Sequence, residues 1–211
     1  MLVVLPASGF SAPYAAHVID ARTGEVLFTE NANSRLHPAS LTKMMTLYIA
    51  FEAVRNGEIS LDDTVKISSH AASEPPSKLG LRSGQKIKFR YLIRAAAVKS
   101  ANDAATAIGF AISGSEEAFA KRMNRTAKAL GMSRTTFVNA NGLTASGHLS
   151  TARDMTTLGL FRALDENGDS IGETQRLVQD WRFVVDTDAA AIAGRALKLE
   201  GDDGADISPA Q

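Results

Sequence analysis

One lysine in an otherwise apolar stretch constrains this chain more than anything else in it. The segment reads His37-Pro38-Ala39-Ser40-Leu41-Thr42-Lys43-Met44-Met45-Thr46-Leu47-Tyr48-Ile49-Ala50-Phe51, and Lys43 is the only charge between Ser40 and Phe51. A helix that is apolar nearly all round belongs in a core. A lysine on it is desolvated, and desolvation lowers an ammonium pKa. Positions i and i+3 share a helix face, so the lysine nitrogen is expected beside the Ser40 hydroxyl. That pairing activates a serine nucleophile without a histidine. The helix start adds unpaired backbone N–H groups and a positive dipole end, both suited to an oxyanion. A bare Ser-x-x-Lys also arises by chance. The plain alternative is a serine N-cap with a lysine that snorkels to the surface.

Bulk properties remove several classes of function. Of 211 residues, 45% are hydrophobic and 22% charged, an ordinary globular balance. Lys+Arg and Asp+Glu are both 23, so no strongly basic surface points to a nucleic-acid partner. There are no cysteines, which excludes disulfides and thiolate metal sites. The four histidines, His17, His37, His70 and His148, are scattered without metal-like spacing, and no metal or organic cofactor is called for. Residues 1–12 read as the trailing part of a secretory signal whose basic front region is missing, with a first core strand as the alternative. No run approaches the ~18 apolar residues of a membrane span.

Along the chain, apolar runs at 15–20 and 25–28 flank a Gly-containing turn and predict a β-hairpin. A buried central helix starts at Ser40 and stops near Asn56-Gly57. Residues 64–68 and 85–89 alternate as short strands, separated by a rigid loop at Glu74-Pro75-Pro76-Ser77. Helices are expected at 91–98, 103–112 and 116–130, the last stopping at Gly131. Thr151 with Asp154 predicts a capping box opening another helix. Beyond these, 165–170 is a polar loop, 182–185 a strand, 189–199 a short helix and 201–211 a disordered tail.

A second constellation is Val98-Lys99-Ser100-Ala101-Asn102-Asp103, between two apolar helices. In an extended segment Ser100 and Asn102 point the same way and present a hydroxyl and a carboxamide together. Alone, this is no more than a turn with polar caps. Together with Ser40 and Lys43 it resembles the penicillin-recognising serine hydrolases, most closely the low molecular mass D-alanyl-D-alanine carboxypeptidases. The segments 19–27, 37–45, 75–81, 98–105, 137–143 and 150–154 are similar to that family as well, and the likeness runs from about 14 to about 162.

The resemblance implies an α/β fold of the β-lactamase and penicillin-binding transpeptidase type. An antiparallel sheet, begun by the hairpin, packs with helices beside an all-helical region. Residues 13–162 would be the catalytic domain and 163–211 a divergent C-terminal segment. It implies Ser40 as the acylated nucleophile, Lys43 as its proton partner and Ser100 as the relay to the leaving D-alanine. Asn102 would hold the peptide amide, and the Ser40 N–H would form half of the oxyanion hole. The substrate would be a peptidoglycan stem peptide ending in D-Ala-D-Ala, β-lactams would be acylating inhibitors, and the location would be periplasmic or otherwise extracytoplasmic. The family's C-terminal anchoring helix is not recognisable in 189–199.

The family also carries Lys-Thr-Gly on a strand lining the other wall of the site. After Asn102 the lysines are Lys121, Lys128 and Lys198, followed by Arg122, Ala129 and Leu199, so none forms that motif. Arg22-Thr23-Gly24 lies in the early hairpin turn. The sheet is therefore expected to be incomplete, and two alternatives to an active carboxypeptidase stand. One is an inactive, truncated relic of the family. The other is a β-lactamase, which the absence of a Glu-x-x-Leu-Asn-like segment and the presence of Ala101 disfavour.

Overall fold

Two antiparallel strands open the fold, β1 (Ala16–Ile19) and β2 (Val26–Glu30), with Ala16 opposite Glu30 and Val18 opposite Phe28. The structure is a computed structural model and describes residues 14–20 and 23–160. The hairpin turn is tied by the Asp20 carboxylate, which accepts the Thr23 N–H at 2.9 Å. Val26, Leu27 and Phe28 on β2 are all about half exposed.

The nucleophile segment opens as a single 3₁₀ turn over Ala39–Leu41, and helix α1 runs over Thr42–Arg55. The sequence placed the helix start at Ser40. Ala39, at φ +48°, cannot belong to an α-helix, and the residues after it first close a single 3₁₀ turn before the α-helical pattern begins. Gly142 holds that kink. At φ +87° it packs its Cα against the Ala39 carbonyl, where any Cβ would collide. Helix α1 ends at Asn56 with Gly57 at φ +71° after it, as the sequence indicated.

Strands β3 (Thr64–Lys66) and β4 (Lys86–Lys88) pair antiparallel around Val65 opposite Ile87. Between them a short helix, α2 (Ser69–Ser73), is capped by the Ser68 hydroxyl, which accepts the Ala71 N–H at 3.1 Å. Three helices follow: α3 (Phe89–Val98), α4 (Asn102–Ser113) and α5 (Glu116–Ala129). Helix α4 is buried from Asn102 to Gly109, and Gly109 lets the Phe119 ring of α5 lie against its backbone.

Helix α6 (Ala152–Leu160) is capped by Thr151, whose hydroxyl accepts the Asp154 N–H at 3.0 Å. The expected return bond from Asp154 is replaced. Its carboxylate accepts the Arg134 N–H at 2.9 Å and the Thr135 hydroxyl at 2.7 Å, two donors that the approaching loop offers. The core joins α1, α5 and α6 through Met45, Ile49, Phe119, Met123, Met132, Phe137 and Met155. No helix among the described residues is long and apolar enough to cross a membrane. The expected signal at 1–12 and the loop, strand, helix and tail at 165–211 lie outside the described residues.

Candidate active site

Lys43 stands one residue inside α1 and is only 3% exposed. Its Nζ donates to Asn102 Oδ1 at 2.9 Å and to the Asn141 carbonyl at 2.6 Å. Burial lowers its pKa to about 8, against the pull of the Glu74 carboxylate, which raises it. An ammonium has three N–H donors, and the two bonds satisfy two of them.

Ser40 occupies the middle of the 3₁₀ turn, and its side chain is exposed. Lys43 is not hydrogen-bonded to it: the lysine's two bonds go to the Asn102 side chain and the Asn141 carbonyl. The residues around Ser40 are tied down. The Thr42 hydroxyl and His148 Nε2 are 2.8 Å apart. His148 Nδ1 accepts the Val138 N–H at 3.1 Å, so in the neutral ring Nε2 carries the proton and donates to Thr42. Burial lowers the His148 pKa, and nearby His37 lowers it further, which favours that neutral ring. His37 Nδ1 lies 2.9 Å from the His148 carbonyl, and the Thr46 hydroxyl donates to the Ala140 carbonyl at 2.6 Å.

Ser100 and Asn102 approach from the α3–α4 turn. Ser100 is at φ +54°, not extended, and is not hydrogen-bonded to Lys43 or Asn102. Asn102 begins α4 instead of lying in the loop. Its Nδ2 donates to the Pro75 carbonyl at 3.0 Å and its backbone N–H to the Ser77 carbonyl at 2.8 Å. The described residues include three non-glycine residues at positive φ, Asn31, Ala39 and Ser100. Two of them flank this site, and such strain concentrates where function holds the backbone in place.

The loop that carries Pro75 and Ser77 is fixed from below by Asp103, which is fully buried. Its carboxylate accepts the N–H groups of Leu79, Gly80 and Leu81 at 2.8–2.9 Å. Asp103→Ala leaves three N–H donors without that acceptor, the one on Leu81 buried. We expect a loss of about 2–3 kcal/mol by urea unfolding. A loss below about 1 kcal/mol would show that the loop is held by other means.

Sequence reasoning put Ser40, Lys43, Ser100 and Asn102 in the site, and the structure brings Lys43 and Asn102 into contact. It missed Asn141, Gly142 and His148, which fix the lysine and the turn. The Asn139-Ala140-Asn141-Gly142 run was the available signal, since only a tight turn needs that composition. It also missed a cluster in which His70, Glu74 and Glu116 bring ligating atoms within 4.8 Å of one another, the one group among the described residues able to take a metal ion. His70 Nε2 lies 3.0 Å from Glu116 Oε2, so a hydrogen bond already accounts for much of that cluster.

The helices and short antiparallel sheets around this lysine, near the start of the central helix, have the penicillin-binding and transpeptidase fold. The chain belongs to the D-alanyl-D-alanine carboxypeptidase family, Peptidase_S11, which it matches over residues 10–172. The match extends past the limit near 162 expected from the sequence. The carboxypeptidase DacF of Bacillus subtilis (strain 168) is 44% identical over 144 residues, covering 68% of this chain and 37% of that protein. Among solved structures, the carboxypeptidase DacD from Francisella tularensis superposes with a TM-score of 0.68 at 38% identity, covering 76% of this chain and 39% of that one. Penicillin-Binding Protein D2 from Listeria monocytogenes, in its cefotaxime-bound form, gives 0.60 at 37% identity, covering 69% and 60%. The chain thus spans well under half the length of the curated relative.

Proposed function

We propose that this chain carries the nucleophile side of a serine-type D-Ala-D-Ala carboxypeptidase. It would act on peptidoglycan stem peptides outside the cytoplasm and be acylated by penicillins. The observation that carries this is the buried Lys43, held by Asn102 and Asn141 one turn from an exposed Ser40. In its neutral form Lys43 takes the Ser40 hydroxyl proton as Oγ attacks the carbonyl of the penultimate D-alanine. The C–N bond then breaks, and Ser100 passes a proton to the departing D-alanine amine. Water hydrolyses the ester left on Ser40. The backbone N–H of Ser40 faces the developing oxyanion. Asn102 keeps one Nδ2 hydrogen and one Oδ1 lone pair beyond its bonds to Pro75 and Lys43, enough to grip a substrate amide.

The test is incubation of the chain with a penicillin, followed by peptide mapping by mass spectrometry. A single adduct is expected, on the peptide carrying Ser40. An adduct elsewhere, or one that persists in Ser40→Ala, contradicts the assignment.

A further inference from the structure

We infer that Glu74 is a positioning residue for Lys43, acting through Thr106 and Asn141 as the buried counter-charge of the lysine. This deepens the reading of Lys43 as proton partner and rests on it. Glu74 follows α2 and is 8% exposed, unusual for a carboxylate. It makes no ion pair with Lys43. Its Oε1 accepts the Thr106 hydroxyl of α4 at 2.8 Å. With its proton committed to Glu74, the Thr106 oxygen accepts the Asn141 Nδ2 hydrogen at 3.0 Å. The other end of that carboxamide accepts the Leu143 N–H at 2.9 Å. Asn141 is thereby fixed at both ends, which aims its backbone carbonyl at the Lys43 nitrogen.

The same glutamate is next in sequence to Pro75, whose carbonyl holds Asn102, the lysine's second partner. One short segment therefore positions both oxygens that hold the ammonium. A carboxylate in this place also favours the protonated lysine, opposing the burial that lowers its pKa to about 8. Other titratable groups stand on the elements packed around Lys43. Asp103 on α4 is committed to Leu79, Gly80 and Leu81. His148 reaches the site only through Thr42. His70 Nε2 lies 3.0 Å from Glu116 Oε2 and 3.8 Å from Glu74 Oε1, and Lys99 lies at the exposed end of α3.

Two variants separate charge from geometry. Glu74→Gln removes the charge but keeps an oxygen for the Thr106 hydroxyl. Thr106→Val removes the relay but keeps the charge. NMR titration of the Lys43 side chain in the full chain, assigned with Lys43→Arg, reads the lysine directly. In Glu74→Gln its midpoint should fall by about half a unit or more, tripling the neutral fraction near neutral pH. In Thr106→Val the midpoint should stay while penicillin acylation falls about tenfold across the pH range. A Glu74 with a merely structural role would lower the urea midpoint and leave the Lys43 titration unmoved, and that result overturns the inference. So does unchanged acylation in Thr106→Val. A wild-type chain that takes no penicillin would defeat the acylation reading, while the titration would still decide the role of Glu74.

Discussion

Lys43→Arg is expected to lower penicillin acylation of Ser40 by about 10²–10⁴-fold, the usual worth of a positioned general base. Arginine keeps the positive charge but cannot release a proton near neutral pH. If neutral Lys43 is the base, wild-type acylation should climb with pH and level off above about 8, where the lysine has lost its proton. At pH 7 only about a tenth of the chains would carry the neutral form. The same shift has a stability consequence. The unfolded lysine keeps its proton up to about 10.5, so the unfolded state binds more protons between 8 and 10.5. Stability therefore rises with pH across that window, and below 8 burial of the charged lysine costs about 3 kcal/mol in full. Lys43→Met, which removes that cost, should lose little stability in urea at pH 7 and should not be acylated measurably. A lysine that was only structural would give the reverse pattern, with stability lost and acylation comparable in Lys43→Arg.

What the sequence made legible is what its local pattern encodes. The hairpin shows because two apolar runs flank a turn. Helix α1 shows because its apolar positions and its stop at Asn56-Gly57 lie within one window. The Ser-x-Asn element shows because its members are two residues apart. The rest depends on contacts that no window contains. Lys43 meets Asn141 across 98 positions and Thr42 meets His148 across 106. Helix α2 has five residues, less than two turns, too short for periodicity to declare itself. Ala39 and Ser100 take left-handed φ without being glycine, so their composition gave no warning. At Asp154 the local rule was sound, but tertiary donors from Arg134 and Thr135 outbid it. Glu74 read as part of a rigid loop. Only its fold-imposed neighbours, Thr106 and Lys43, give it a role.

A polypeptide of these 211 residues should release D-alanine from a Lys-D-Ala-D-Ala peptide at least about 10²–10³-fold more slowly than Bacillus subtilis DacF, although Ser40, Lys43, Ser100 and Asn102 are all present. The reason is the wall opposite them. In the proposed reaction, acyl transfer would draw its rate from two oxyanion donors and from anchoring the terminal carboxylate of the substrate. Under that proposal Ser40 would supply one N–H. The Lys-Thr-Gly motif that would supply the second donor and the cation does not occur in the 211 residues. Loss of one oxyanion donor alone costs about 10²–10³, and loss of the anchor adds to it. A β-lactam carries its own strained, reactive carbonyl and depends less on that wall, so adduct formation on Ser40 should survive better than D-alanine release. Release within about tenfold of DacF, measured on purified polypeptide, would overturn this. It would mean that another cation does the anchoring, and the candidates in the segment from Arg182 to Lys198 are Arg182, Arg195 and Lys198.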